Sequence, residues 1–252
     1  MGIYSELRIL YKMIFSPVKG ATHQERLESF YKEQAKDYEE FRKRLLHGRT
    51  LLYKSLPCPK GGIWVDLGGG TGSNLDEIGE RIKHFKKVYL VDLTPSLVEV
   101  ARKRIADRGW TNVEAVIADV TEWAPPEGQV DAVTFSYSLT MIPAWYRALE
   151  QAQSLLKPGG HLGVVDFTVS RKYPPTLSNG TRCKKHSWFT RHFWPVWFAT
   201  DNVHPNRDHI PYLLDHFQDK ALKQGFGSVP YLTIFTRLKA PYYVFIGCKK
   251  PE

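Results

Sequence analysis

The chain has 252 residues, with 35 Lys and Arg against 26 Asp and Glu for a formal charge of +9, and it is 42% hydrophobic and 24% charged. That length allows one large buried core with appendages, and the composition excludes a disordered, collagenous or disulfide-framework protein. The charge is uneven: residues 1–60 hold 12 basic and 7 acidic side chains, 61–166 hold 10 and 14, and 167–252 hold 13 and 5. Both ends therefore read as surfaces for polyanions around an acidic middle.

In chain order, Ile3, Leu7, Leu10 and Ile14 recur at helical spacing among polar residues, so the pattern predicts an amphipathic helix over 3–15. Pro17 and Gly20 end it. Thr22 with Glu25 three residues on reads as a capping box, opening a second helix that the apolar positions Leu27, Tyr31, Tyr38, Phe41, Leu45 and Leu52 carry to about Leu52. Residues 1–60 are thus expected to form N-terminal helices ahead of a main domain over 61–252.

From residue 62 short apolar runs alternate with helical segments. The runs are 63–65, 88–91, 113–117, 130–135 and 161–165; the predicted helices between them are 74–85, 95–108 (with Thr94 as N-cap and Pro95 in the first turn) and 144–156. This alternation is that of a doubly wound α/β fold with a mostly parallel sheet. Two closing strands, Val229–Phe235 and Tyr242–Cys248, bring the count to seven. Residues 167–220, rich in Pro, aromatics and bases, read as an insertion after the fifth strand, over the edge of the sheet where ligands bind.

Cys58, Cys183 and Cys248 are far apart with no CxxC pair, which predicts neither disulfides nor a zinc ribbon and suits a reducing, cytoplasmic compartment. His204, His209 and His216 have spacings that fit no common zinc pattern, so no metal is expected. No run approaches the roughly 20 apolar residues a spanning helix needs, and the first 30 residues lack a signal-peptide pattern, so any membrane contact is expected to be peripheral.

The chemistry concentrates at strand ends. Ile63–Asn74 reads strand, then Asp66-Leu67-Gly68-Gly69-Gly70-Thr71-Gly72, then helix; glycines there let the backbone turn tightly and approach a ligand. Asp92 ends the next strand, where doubly wound folds place a carboxylate for ribose hydroxyls, and Asp119 ends the third. Three acids at neighbouring strand ends suit a cationic, ribose-bearing ligand and repel a pyrophosphate. The dinucleotide pattern G-x-G-x-x-G from Gly68 would need glycine at position 73, which is Ser73.

The pattern instead resembles the D-x-G-x-G-x-G of class I S-adenosylmethionine-dependent methyltransferases, and the resemblance continues through Val91-Asp92, Ala118-Asp119-Val120, Ser136-Tyr137-Ser138 and Leu155-Leu156-Lys157-Pro158-Gly159-Gly160. It covers about residues 30–170. It implies S-adenosylmethionine as cofactor, with Asp66 and Gly68, Gly70 and Gly72 at the methionine moiety, Asp92 at the ribose and Asp119 at the adenine amine. Leu93, Val120 and Ser136 would lie beside them, and Tyr31 or Tyr38 would close over the top, unless those tyrosines simply pack in the core.

Trp197–Leu213 (WFATDNVHPNRDHIPYL) resembles the N-methyltransferase half of betaine-lipid synthases, which are related to phosphatidylethanolamine N-methyltransferases. That likeness implies successive methylation of the amine of diacylglyceryl-homoserine, with the homoserine-transferring activity on a partner or a fused domain. Bases interleaved with aromatics over 171–198 agree with an anionic lipid surface; such stretches also bind RNA or pack as core. Nucleic acid is disfavoured because Ser136-Tyr137-Ser138-Leu139 stands where base-amine methyltransferases carry N-P-P-[YF]. Tyr137, Asp166, His204 and Asp208 are the candidates to assist loss of the amine proton, with Tyr137 or Trp188 suited to face the alkylammonium. The competing readings are a small-molecule or RNA methyltransferase and a non-catalytic cofactor-binding subunit.

Overall fold

The computed structural model describes residues 20–32, 45–57, 59–177, 180, 182–229 and 238–250. Seven strands, β1 (Ile63–Leu67), β2 (Lys87–Asp92), β3 (Val113–Ile117), β4 (Val130–Ser136), β5 (Leu156–Phe167), β6 (Phe217–Ser228) and β7 (Lys239–Lys249), form one sheet in the order β3-β2-β1-β4-β5-β7-β6. The first five are parallel and β7 runs antiparallel to both β5 and β6. The expected seven-stranded, mostly parallel, doubly wound fold is present, and its strand order reverses at β1, between β2 and β4, where ligand sites form in such sheets.

The helices are α1 (His23–Lys32), α2 (Arg49–Ser55), the short α3 (Ser73–Asp76), α4 (Pro95–Asp107), α5 (Trp145–Leu155), α6 (Trp188–Ala199) and α7 (His209–His216), with 3-10 turns at Gly79–His84 and Leu139–Met141. Both faces of the sheet are covered, so every residue of β1 is buried. The period-2 alternation sends Trp64, Val88, Leu90 and Ala132 to one face, against α2, α4 and α6. It sends Val65, Leu67, Val91 and Val133 to the other, against α5 and α7. Among the described residues no helix is long and apolar enough to cross a membrane.

The capping box forms as read: Thr22 Oγ1 accepts from the Glu25 backbone N at 3.1 Å and Glu25 Oε2 accepts from the Thr22 N at 3.2 Å. The long helix to Leu52 does not. Gly48, at φ 84°, starts a separate α2, because the left-handed turn there breaks any continuous helix. The helix expected over 74–85 likewise gives way to α3 and a 3-10 turn at Gly79 (φ 59°). Among the described residues the strand that precedes β7 is β6, at 217–228, held in place by its long pairing with β7; the expected strand Val229–Phe235 lies, apart from Val229, outside the described residues. The amphipathic helix over 3–15, Tyr38 and Cys58 lie outside the described residues.

The insertion is ordered around two helices. Ser187 caps α6, its Oγ accepting from the Thr190 N at 3.1 Å. An isolated parallel bridge joins Thr168 to Asn206, and Thr168 Oγ1 donates to the Asn206 carbonyl at 3.3 Å, so the 201–208 loop is tied to the end of β5.

Candidate active site

A cavity of about 350 Å³ opens at the carboxyl ends of β1 to β4. Its floor is the glycine turn. Gly68 (φ 70°) donates its N–H to the Val91 carbonyl at 2.8 Å, and a Cβ on it would collide with that of Ser138. The backbone is therefore brought as close to the cavity as glycine alone permits. Asp92 Oδ2 accepts from the Gly70 N and Oδ1 from the Thr94 N, both at 2.9 Å, which ties the turn to the start of α4. Asp119 Oδ1 accepts from the Thr121 N at 2.8 Å and Oγ1 at 2.7 Å, a local turn that holds this exposed carboxylate at the rim.

Of the residues singled out by sequence, Gly68, Gly70, Asp92, Leu93, Asp119, Val120 and Tyr137 line the cavity together. Asp66, Gly72 and Ser136 do not line it. Asp66 is the fourth residue of β1, one before the strand ends, and its fully buried carboxylate accepts from Thr134 Oγ1 (2.6 Å), Asn74 Nδ2 (3.0 Å) and Tyr53 OH (3.3 Å). Asn74 is held in turn by the Arg49 guanidinium. Asp66 thus braces the glycine turn from beneath and is placed too deep to meet a cofactor in the cavity. Burial pushes its pKa up, against the pull of Thr134, Asn74 and Arg49. Tyr31 lies in α1, whose Leu27 does line the cavity.

The four proton-transfer candidates are scattered. Tyr137, in a left-handed backbone conformation (φ 55°) at the end of β4, donates its hydroxyl to the His47 carbonyl at 2.6 Å, and burial drives its pKa well up. Its hydroxyl is thereby committed to a backbone carbonyl. Asp166 is fully buried beneath the Leu139–Met141 turn, accepting from Thr140 Oγ1 (2.7 Å), the Thr140 N (3.1 Å) and the Phe167 N (2.8 Å). Burial lifts its pKa to about 7 despite those bonds. Asp208 is paired with Arg171 Nε at 2.7 Å, and the exposed His204 makes a backbone bond, its N–H to the Thr140 carbonyl at 2.8 Å. None of these three lines the cavity. Sequence reading missed Ser138, Met141 and Arg147 on its wall; the signal available for the first two was their position just past the fourth strand, whereas Arg147 reaches the wall from the first turn of α5.

A second buried acid makes a pH prediction. Asp201, just past the end of α6, has its Oδ1 without a hydrogen-bond partner among the described residues, and burial raises its pKa from 3.8 to about 7. The native carboxyl therefore keeps its proton across an interval in which the unfolded one has lost it, and this group's contribution makes stability fall as pH rises from about 4 to about 7. Asp201→Asn is expected to leave the unfolding free energy unchanged below pH ~4 and to raise it above pH ~7 by up to about 4 kcal/mol, read as higher denaturant midpoints there. Equal midpoints for variant and parent above pH ~7 would refute it.

A family model described as a methyltransferase domain matches residues 35–226. The chain belongs to that family. The methyltransferase fold, the glycine cradle and the acids at the strand ends together make it a class I S-adenosylmethionine-dependent methyltransferase. The residues present fit that cofactor: a turn that a Cβ at Gly68 or Gly69 would obstruct, Asp92 and Asp119 on one rim, and apolar wall positions at Leu27, Leu97, Met141 and Ile142. The ubiquinone/menaquinone biosynthesis C-methyltransferase UbiE of Hydrogenovibrio crunogenus is 34% identical over 109 residues, 43% of each chain. This methyltransferase therefore spans less than half of that relative's length in the match. The BH2331 protein of Bacillus halodurans C-125 superposes with a TM-score of 0.63 at 17% identity, covering 81% of this methyltransferase and 99% of that chain. Phosphoethanolamine N-methyltransferase 2 of Haemonchus contortus superposes with a TM-score of 0.63 at 14% identity, covering 92% and 61%. At these identities the structures share the fold.

Proposed function

We propose that this methyltransferase transfers methyl groups to the amine of a lipid headgroup, with diacylglyceryl-homoserine converted stepwise to its trimethylated betaine as the leading substrate. One observation carries the reading: the stretch similar to betaine-lipid N-methyltransferases, Trp197–Leu213, is bonded to the wall of the cavity. The His204 N–H meets the Thr140 carbonyl at 2.8 Å, and Thr140 in turn is held by Asp166, so this stretch and the end of β5 shape the turn that bears Met141. The C-methyltransferase relatives match over 43% of this chain at 34% identity or over 65% at 27%, and it is the Trp197–Leu213 stretch, not this partial likeness, that carries the acceptor assignment.

S-adenosylmethionine, when bound, supplies the electrophilic sulfonium methyl. In this reading Gly68 and Gly70 admit its amino-acid end to the turn, Asp92 accepts from the ribose hydroxyls and Asp119 from the adenine amine. Tyr137 presents its ring to the acceptor nitrogen and, by cation–π attraction, to the alkylammonium formed. Orientation of nitrogen and methyl supplies much of the acceleration. Asp166 positions the Leu139–Met141 turn and does not face the acceptor.

Incubation with S-adenosylmethionine and diacylglyceryl-homoserine in detergent micelles is expected to yield mono-, di- and trimethyl products in sequence by mass spectrometry. No product there, beside turnover of phosphatidylethanolamine, a soluble amine or a quinone precursor, would replace this substrate with the one turned over.

A further inference from the structure

Between Phe167 and Thr200 the chain has no Asp or Glu, while Arg171, Lys172, Arg182, Lys184, Lys185 and Arg191 supply six positive charges. Arg171 is neutralised by Asp208; Lys172, Arg182, Lys184 and Lys185 are exposed. The α6 helix follows this basic strip, and its two faces differ. On the inner face Trp194 and Phe198 are buried, Phe198 stacks on Phe167 at 4.5 Å between ring centroids, and Phe167 meets Tyr137 of the cavity wall at 4.7 Å. On the outer face Trp188 is 68% exposed and Val196 74%, with Phe189 beside them.

The exposed apolar surface gathers here. Of the eight large hydrophobic side chains exposed among the described residues, five are Tyr173, Trp188, Phe189, Val196 and Phe226. Tyr173 lies under the ammonium groups of Lys172 and Lys185, at 5.4 and 5.8 Å, and Phe226 lies under that of Lys184 at 5.8 Å. Five such groups in one region, ringed by cations, mark an interaction surface rather than scattered exposure.

We propose that the outer face of α6, with the basic strip at its N-terminal end, docks on an anionic lipid bilayer and brings the acceptor side of the cavity to the headgroups. The purpose assigned to this docking rests on the amine-lipid reading above; the docking itself is observable without it. The arrangement favours lipid over single-stranded nucleic acid. A strand-binding groove intersperses cations with its stacking rings along the backbone track. Here the outer face is apolar except for His192, which stacks on Trp188 at 4.5 Å, and the helix's one arginine, Arg191, is half-buried, while the exposed bases stand to one end. That is the distribution of a helix lying in the interface, with apolar groups at the acyl boundary and cations at the phosphates.

The test is flotation of the full chain with vesicles of phosphatidylcholine alone, and of phosphatidylcholine mixed with phosphatidylglycerol. Binding to the mixed vesicles, weakened by added salt and absent without the anionic lipid, is the expected result. Trp188→Ser with Val196→Ser should weaken it by at least about tenfold, and Lys184→Glu with Lys185→Glu by about tenfold or more. Calorimetric affinity for S-adenosylhomocysteine should stay unchanged in both, which reports that the variants are folded. Vesicle binding equal in parent and variants, or no vesicle binding at all, would overturn the proposal, as would capture of single-stranded RNA by this face with vesicles left unbound. Docking on vesicles without methylation of any amine lipid would retain this surface and remove the lipid-amine substrate; methylation of amine lipid in micelles without vesicle binding would do the reverse.

Discussion

Asp92→Ala is expected to weaken binding of S-adenosylhomocysteine by about one to two orders of magnitude and, separately, to destabilise the free protein. Truncation removes the charge-assisted acceptor assigned to the ribose hydroxyls, at about 1.5–3 kcal/mol. The Asp92 carboxylate is also almost fully buried and accepts from the Gly70 and Thr94 N–H groups; truncation strands both donors, at about 1–3 kcal/mol each. Because that tie between the glycine turn and α4 exists without cofactor, its loss should appear as a lower melting temperature of the free protein rather than in the affinity. Titration calorimetry beside a thermal melt separates the two contributions. Unchanged affinity would mean that the ribose acid is misassigned.

Gly68→Ala is the second large effect. At φ 70° a side chain costs about 1–2 kcal/mol in backbone strain, and here the new Cβ would also strike that of Ser138, an overpacking cost of about 1–3 kcal/mol. The sum is large against the roughly 5–15 kcal/mol that holds a typical fold together. Ser138 cannot easily yield, since its Oγ donates to the Leu67 carbonyl at 3.0 Å and anchors the end of β1. Gly79→Ala is the control: it has the same left-handed backbone (φ 59°) but nothing within 4 Å of the added carbon. Denaturant unfolding should show Gly68→Ala losing clearly more stability than Gly79→Ala, and only Gly68→Ala should lose cofactor affinity. Ser138→Gly on top of Gly68→Ala should return the overpacking part less the cost of losing the Ser138 Oγ bond to the Leu67 carbonyl, which Ser138→Gly alone measures. Equal losses at the two glycines would show that the turn is not closely packed.

Much of the architecture is legible along the chain because local chemistry repeats there. Strands β1, β2 and β4 are apolar runs of the right length, and burial on both faces makes such runs necessary, while the edge strand β3 mixes buried and exposed positions. Pro95 after Thr94 sets the start of α4, and Thr22 with Glu25 sets that of α1. Other elements carry no such pattern. Strand β6, FQDKALKQGFGS, is a polar edge strand without alternation, and it exists because β7 offers it a partner along most of its length. The breaks at Gly48 and Gly79 were signalled by glycine, yet the helical spacing of the surrounding apolar residues masked them.

The site divides the same way. Three acids near three strand ends are visible in sequence, and so is the methyltransferase turn between the first strand and its helix. Their depths are not. Asp92 is the last residue of β2 and reaches the cavity, whereas Asp66 precedes the last residue of β1 and points, with Trp64, into the face covered by α2. Strand pairing sets Asp66 opposite Leu90, so Asp92 stands two residues farther along the same face of the sheet, and that difference in depth turns a candidate ligand into a buried brace held by Asn74 and Thr134. Asp166, His204 and Asp208 were chosen for their chemistry, and folding assigned each another partner: Thr140, the Thr140 carbonyl and Arg171.

By itself, then, the sequence determined the fold class, the cofactor turn and the basic, aromatic character of residues 167–200, because each follows from residue type and spacing over a few turns of chain. Only the tertiary structure decided which acids face the cavity, that the Tyr137 hydroxyl is taken up by the His47 carbonyl, and that Trp188 and Val196 face out while Trp194 and Phe198 face in. Those outcomes depend on partners brought from distant positions, such as His47 beneath the Tyr137 hydroxyl and Phe167 beneath Phe198, and no local pattern encodes them.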